Sequence, residues 1–435
     1  MKTTVLWALA AWCVGMGAAQ AQLTAEEQRI RDIVAAQQSD AIEFLGEVVD
    51  INSGTMNHDG VRAVGARFRD ELSQLGFETQ WEDFAPEIDR AGHLVATHAG
   101  ETGRKLLLIG HLDTVFDDAA GGQKFSVDGD IANGAGVADM KGGDVVLLYA
   151  LKALAEAGAL DDAQIDVVLT GDEELTGKPV SVSRASLTAA AKRADVALNF
   201  EGGEPGAAVT SRRGASGWTL TTTGLRRHSS GIFSDETGAG AIFEAARILN
   251  EFYEELSNEK YLTFNPGVIL GGTDVAYDPA RNEGEALGKT NVVAQKVVVD
   301  GGLRFISEEQ KTRARARMRK IVEKHRPQTG AEIEFVDSYP AMPPTDGNQR
   351  LLDVFSAVSS DTGYGPVQGN DPAARGAADI SFAAPYIAAS MDGLGPDGAG
   401  AHTLEESLRI SSLKEATERA AILIYRLTRE DAPEF

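Results

Sequence analysis

The chain has 435 residues, 43% of them hydrophobic and 24% charged, and carries a formal net charge of −24. That length and apolar content can bury one large core or two moderate ones, and they exclude extended disorder. So acidic a surface repels nucleic acid and anionic membrane, so neither is an expected partner.

At the start of the chain, Lys2 precedes an apolar run from Val5 to Gly17, followed by Ala19-Gln20-Ala21. This is the layout of a secretory signal, assigned to residues 1–21, and the run falls short of the ~20 apolar residues that span a bilayer. Cleavage after Ala21 would remove Cys13, the only cysteine. The expected product is a periplasmic or secreted protein without disulfide or thiolate chemistry, so nitrogen and oxygen must hold any metal.

Helical patterning from Thr24 to Val49 and from Gly60 to Leu75 leads to the apolar run Lys105–Ile109, which ends at Gly110-His111. Ile165–Thr170 is a second buried-strand run and ends at Gly171-Asp172-Glu173-Glu174. Asp195–Phe200 is a third and ends at Glu201. Short β-rich runs alternating with helical stretches predict a parallel sheet, whose sites form beyond the carboxyl ends of the strands. Between the first two runs, Asp128-Gly129 reads as a hairpin turn. Asp139 stands just before a helix predicted over Lys141–Ala157, where it suits a helix N-cap as well as a metal ligand.

After Glu201 the pattern changes. Trp218–Thr223, Tyr261–Gly271, Thr290–Val299 and Glu332–Ser338 read as strands, and Glu236–Leu256 and Ser307–Lys324 as helices. The order is βαββαβ, that of a ferredoxin-like module. The chain then returns to the first unit, where Pro385–Met391 reads as a strand and the loop Gly393–Gly400 leads to His402. The predicted fold is therefore α/β: a mixed, mostly parallel sheet flanked by helices, built from residues 22–214 and 340–435. A ferredoxin-like α+β module at 215–339 interrupts it.

Five side chains in these motifs suit metal binding: His111, Asp139, Glu174, Glu201 and His402. Two imidazoles and three carboxylates favour a pair of zinc-like divalent ions. Glu173, beside Glu174, is what a hydrolase using activated water needs as a proton shuttle.

In this order, HLDTV, GVADMKGG, GDEE, a later Glu-Gly after a strand, GLRRHSSG, TNVV and GAHTLEES resemble the M20 family of zinc metallopeptidases. The resemblance runs from about residue 40 to 425. It implies two divalent ions, Zn2+ first with Co2+ or Mn2+ as alternatives. His111 and Glu201 would hold one, Glu174 and His402 the other, and Asp139 would bridge them. It further implies Asp113 as the carboxylate orienting the His111 ring, Glu173 as catalytic base, and a cis peptide at Asp139-Met140. His228 would reach the active site of the other subunit of a homodimer, making the inserted module both lid and interface.

For the substrate, the resemblance carries over Asn291 and Arg304, whereas Tyr339 stands where relatives that cleave a C-terminal glutamate have an arginine. Arg212 and Arg213 are read either as substrate-binding cations or as paired arginines at a hinge. His58, His93, His98 and His325 match no motif, the basic run Lys311–Lys320 reads as a solvated helix face, and Asp379 and Glu405 read as loop-shaping. The expected function is amide hydrolysis of small peptides with a free carboxylate, as a carboxypeptidase or dipeptidase. N-acyl amino acid deacylation is the second expectation. A non-catalytic binding protein on the same fold is a third, opposed by the intact Glu173 and ligand set.

Overall fold

The computed structural model describes residues 23–117, 123–279 and 281–435, so the secretory segment with Cys13 lies outside the described residues. A six-stranded sheet organises the outer unit in the order Glu78–Glu82, His93–His98, Ala163–Thr170, Thr102–His111, Val196–Asn199, Ala389–Met391. The last four run parallel, and His93–His98 pairs antiparallel to Ala163–Thr170.

The continuous apolar run at 106–109 follows from burial on both faces of this sheet. Leu106 and Leu108 join the larger core with the helices Gly142–Ala157 and Ile410–Leu427, while Leu107 and Ile109 join a smaller one with Leu187, Ala190 and Ile380. The predicted helix 24–49 is two helices, Ala25–Ala36 and Gln38–Val49, broken at Gln37 without glycine or proline. Thr24 opens the first with a capping box to Glu27.

Residues 214–337 contribute a four-stranded antiparallel sheet in the order Thr263–Gly272, Lys296–Phe305, Gly214–Gly224, Thr329–Asp337. Taking the strands as 1 to 4 along the chain, the order is 2-3-1-4, the ferredoxin-like arrangement. Its own core gathers Trp218, Leu220, Ile248, Phe252, Phe305 and Met318 under the helices Gly240–Leu256 and Glu308–Val322. Two differences from expectation appear. An additional hairpin, Asp274–Asp278 with Glu283–Leu287, stands between the second and third strands, and the third runs on to Phe305 rather than ending at Val299. Among the described residues no helix is long and apolar enough to cross a membrane.

Candidate metal centre

Three neighbouring strands place the site. His111 is the last residue of its strand and pairs with Thr170, the last of the next; the loop 171–174 follows. On the other side Ile109 pairs with Asn199, so Glu201 emerges beside them. Asp139 lies in a non-helical turn with φ −119° and ψ 91°, and the Asp139–Met140 peptide is cis. The N-cap alternative is not realised, because Lys141 caps the helix Gly142–Ala157 and no side chain accepts from its first turn. His402 comes from the far end of the chain with a left-handed φ of 65°, a conformation uncommon outside glycine and enriched at functional sites.

These residues converge as two triads, His111–Asp139–Glu201 and Asp139–Glu174–His402, with all ligand atoms of each within 4.8 Å of one another. Each oxygen of Asp139 faces one triad: Oδ1 lies 3.2 Å from His111 Nε2, and Oδ2 lies 3.1 Å from His402 Nε2. His111 Nε2 is 3.7 Å from Glu201 Oε1, and His402 Nε2 is 3.2 Å from Glu174 Oε2. Tetrahedral zinc with bonds of ~2.0–2.2 Å spaces its ligands roughly 3.3–3.6 Å apart; the separations of 3.1–3.7 Å fall within about 0.2 Å of that range and suit one ion per triad, with Asp139 common to both. The other Glu174 oxygen, Oε1, is buried without a protein partner, as an acceptor aimed at a cation would be. The residues fit a pair of divalent ions.

The electrostatics agree. Burial, reinforced by the neighbouring carboxylates, pushes Glu174 up to about 8 and Glu201 up to about 7. Burial likewise raises Glu173 well above the ordinary carboxylate range, against the opposing charge of His111. Burial opposes charge on His111, yet its hydrogen bond to Asp139 and the nearby Glu201 raise it well above its usual value. The hydrogen bond to Asp139 brings His402 to about 9. So many acids crowded together call for compensating positive charge.

Asp113 acts differently from the expectation. The His111 ring is held by the Asp113 main-chain carbonyl, 3.0 Å from Nδ1, while the carboxylate stands 3.6 Å off. The carboxylate instead accepts the backbone N–H groups of Glu173 (3.0 Å) and Glu174 (3.1 Å) and the Thr55 hydroxyl (2.7 Å). It thus fixes the loop that carries Glu173 and Glu174.

Glu406 and Arg375 are absent from the sequence reading, and Tyr339 makes a contact other than the one its position suggests. Glu406, not its exposed neighbour Glu405, accepts the N–H groups of Gly136, Ala138 and Asp139 at 2.8–2.9 Å and so sets the Asp139 turn. Tyr339 donates its hydroxyl to the Glu173 carbonyl at 2.9 Å. Arg375 lines the cavity over the triads and contacts Gly202 and Glu204. Only a pair of adjacent acids signalled Glu406, and nothing in local pattern signalled Arg375. Asp379 shapes loops as expected, accepting from Thr170 and Arg184.

The cavity is about 420 Å³ and is lined by Asp139, Glu173, Glu174, Glu201, Arg212 and His402 among others. His228, Asn291 and Arg304 do not line it within one chain. His228 and Asn291 sit together on the lid, where Ser229 N donates to the Asn291 carbonyl at 2.9 Å. Arg212 is a paired arginine, with Nε 2.6 Å from Asp392 and Nη1 donating to the Gly376 carbonyl at 2.7 Å. Arg213 and Arg304 are different. Arg213 bonds Thr263 and the Ala373 carbonyl, its buried Nε has no partner, and burial together with the Arg213 charge lowers the Arg304 pKa.

Two imidazole–carboxylate triads sharing an aspartate at the carboxyl ends of a mostly parallel sheet, with a glutamate beside them, define a metal-dependent hydrolase of amide bonds. The sequence profile of peptidase family M20/M25/M40 matches residues 107–426, and the chain belongs to that family. It is 28% identical over 397 residues to carboxypeptidase G2 of Pseudomonas sp. (strain RS-16), covering 90% of each chain. It is also 24% identical over 404 residues to succinyl-diaminopimelate desuccinylase of Hydrogenovibrio crunogenus, covering 90% of this chain and 98% of the relative. The crystal structure of aminopeptidase PepT from Bacillus cereus shares the fold, with a TM-score of 0.68, 18% identity and coverage of 89% and 98%.

Proposed function

We propose that the protein is an exported exopeptidase of carboxypeptidase or dipeptidase type that cleaves small peptides bearing a free carboxylate. The observation that carries this reading is the cavity of about 420 Å³ over the two triads, at the lower end of the usual 300–1,000 Å³ range for small-molecule sites. Residues 22–214 and 340–435 would form the catalytic unit and 215–339 the lid. The Lys2-led segment at 1–21 supports export to the periplasm or beyond.

His111, Asp139, Glu174, Glu201 and His402 would hold the two ions, which when bound lower the pKa of water and polarise a carbonyl. Glu173 takes the proton of the attacking water and delivers it to the departing amine. Asp113 keeps the Glu173 backbone in place throughout. The oxyanion needs a further donor, and His228 of the partner subunit, exposed on the lid, is suited to that role in a homodimer. Mixing Glu173→Gln subunits with His228→Ala subunits then restores up to half the activity, since one site per mixed dimer regains both groups. Verified mixed dimers without recovery would sink the cross-subunit role.

The Arg213–Arg304 pair, beside the loop that lines the cavity, supplies uncompensated positive charge for the substrate carboxylate. Arg304→Met is expected to raise KM about tenfold or more with kcat largely kept, the pattern of lost ground-state binding. An unchanged KM across a panel of dipeptides would count against it. N-acyl amino acid deacylation is the second reading, favoured by the similarity to a desuccinylase. Comparing dipeptides, C-terminal glutamate conjugates and N-acyl amino acids on the zinc-loaded protein separates the two, and turnover of none of them would refute both.

A further inference from the structure

The chain crosses between its two units twice, at 214–215 on the way out and at 338–340 on the way back. The two crossings are hydrogen-bonded to each other: Ala215 N donates to the Tyr339 carbonyl at 2.8 Å, and Tyr339 N to the Ala215 carbonyl at 3.1 Å. The side chain of that same tyrosine leaves the hinge and enters the catalytic unit. Its hydroxyl donates to the Glu173 carbonyl (2.9 Å) and shares a hydrogen bond with Thr176 Oγ1 (2.8 Å). The ring packs on Phe382, with centroids 4.9 Å apart, which leaves the hydroxyl little freedom to swing away.

Glu173 is consequently gripped at both ends of its own residue. Its N–H is fixed by Asp113 Oδ1 at 3.0 Å, and its carbonyl is fixed by Tyr339. With both flanking peptide planes held, the direction of the Glu173 side chain is set by the backbone, and only its own torsions remain. Asp113 belongs to the catalytic unit, whereas Tyr339 belongs to the hinge. We propose that Tyr339 is a positioning residue that fixes the orientation of Glu173 and ties it to the setting of the lid hinge. The inference rests on Glu173 being the general base.

A tyrosine hydroxyl remains protonated near neutral pH and can serve as a constant donor. Among the described residues no other group donates to the Glu173 carbonyl, so losing the hydroxyl leaves the 173–174 peptide held only through the Glu174 N–H on Asp113 Oδ2, without touching a metal-ligating side chain. Misplacing a reacting group by a fraction of its working distance is costly to the chemical step and leaves substrate binding intact.

The test is Tyr339→Phe in the zinc-loaded full chain, which keeps the ring on Phe382 and removes only the hydroxyl. The expected result is a fall in kcat of about tenfold at unchanged KM, the signature of an interaction needed only in the transition state. Metal content and Tm stay at wild-type values, and hydrogen exchange of the 173–177 amides speeds up. Thr176→Val, which leaves the bond from Tyr339 to the Glu173 carbonyl intact, should change kcat less than Tyr339→Phe does. A merely structural tyrosine would instead lower Tm and leave kcat of the folded protein unchanged, and that outcome overturns the proposal. So does a kcat loss that tracks lost metal. Glu173→Gln is assayed in parallel: wild-type turnover there overturns the base assignment and this inference with it. An inactive Glu173→Gln beside a fully active Tyr339→Phe overturns this inference alone.

Discussion

Glu173→Gln is expected to lower kcat by a factor of about 10²–10⁴, the usual contribution of a positioned general acid–base group. The substitution keeps the shape of the side chain and removes only its capacity to accept and return a proton. Glu173 belongs to neither ligand triad, so both ions should remain bound. The backbone of residue 173 is fixed through its N–H and its carbonyl, by Asp113 and Tyr339, and neither contact depends on the carboxylate. A large loss therefore cannot come from a displaced loop. Titration of bound zinc alongside steady-state kinetics on the best dipeptide checks both halves. Turnover within a factor of about three of wild type would refute the base assignment, because so small a change is under 1 kcal/mol in the barrier.

Three of the five residues of the triads follow a sequence signal with a physical origin. Apolar runs buried on both faces of a sheet are conspicuous, and the residues that end them must lie at its carboxyl edge. His111, Glu174 and Glu201 were placed in this way. Features set by side-chain direction were not readable. Glu405 and Glu406 are adjacent acids, and only the turn of the chain sends Glu406 inward to three N–H groups while Glu405 faces solvent. The strand Lys296–Phe305 runs on past Val299 although Asp300-Gly301-Gly302 has the composition of a turn. Gly301 is instead there for packing: a Cβ at that position would lie 2.5 Å from Cζ2 of Trp218, whose indole donates to the Gly302 carbonyl. The pair Asp274–Asp278 and Glu283–Leu287 gives no sequence signal, because Glu283–Leu287 is exposed at every position and shows no alternation. Arg212 and Arg213 are neighbours of one type with opposite fates, decided by Asp392, which lies 180 positions away.

Stripping the ions with a chelator is expected to abolish turnover and to lower Tm by several degrees. The triads gather three carboxylates from three separate segments, 139, 174 and 201, and add His111 and His402, 291 positions apart in the chain. Ions held there tie both halves of the outer unit, on either side of the lid insertion, to one point. A ligand present at a thousand times its Kd stabilises the folded state by about 4 kcal/mol. For a unit of this size each kcal/mol moves Tm by about 1–2 °C, so the shift should be about 4–8 °C for each ion. The lid supplies no ligand and has its own core around Trp218 and Phe252. If the protein melts in two steps, only the step belonging to the six-stranded sheet should move. Scanning calorimetry with and without chelator reads this directly. Each triad contains an imidazole, so Zn2+, Co2+ or Mn2+ should restore both Tm and turnover, whereas Ca2+, which prefers an all-oxygen shell, should restore neither. A chelated protein that melts like the zinc-loaded one would show that these carboxylates are balanced by something other than metal.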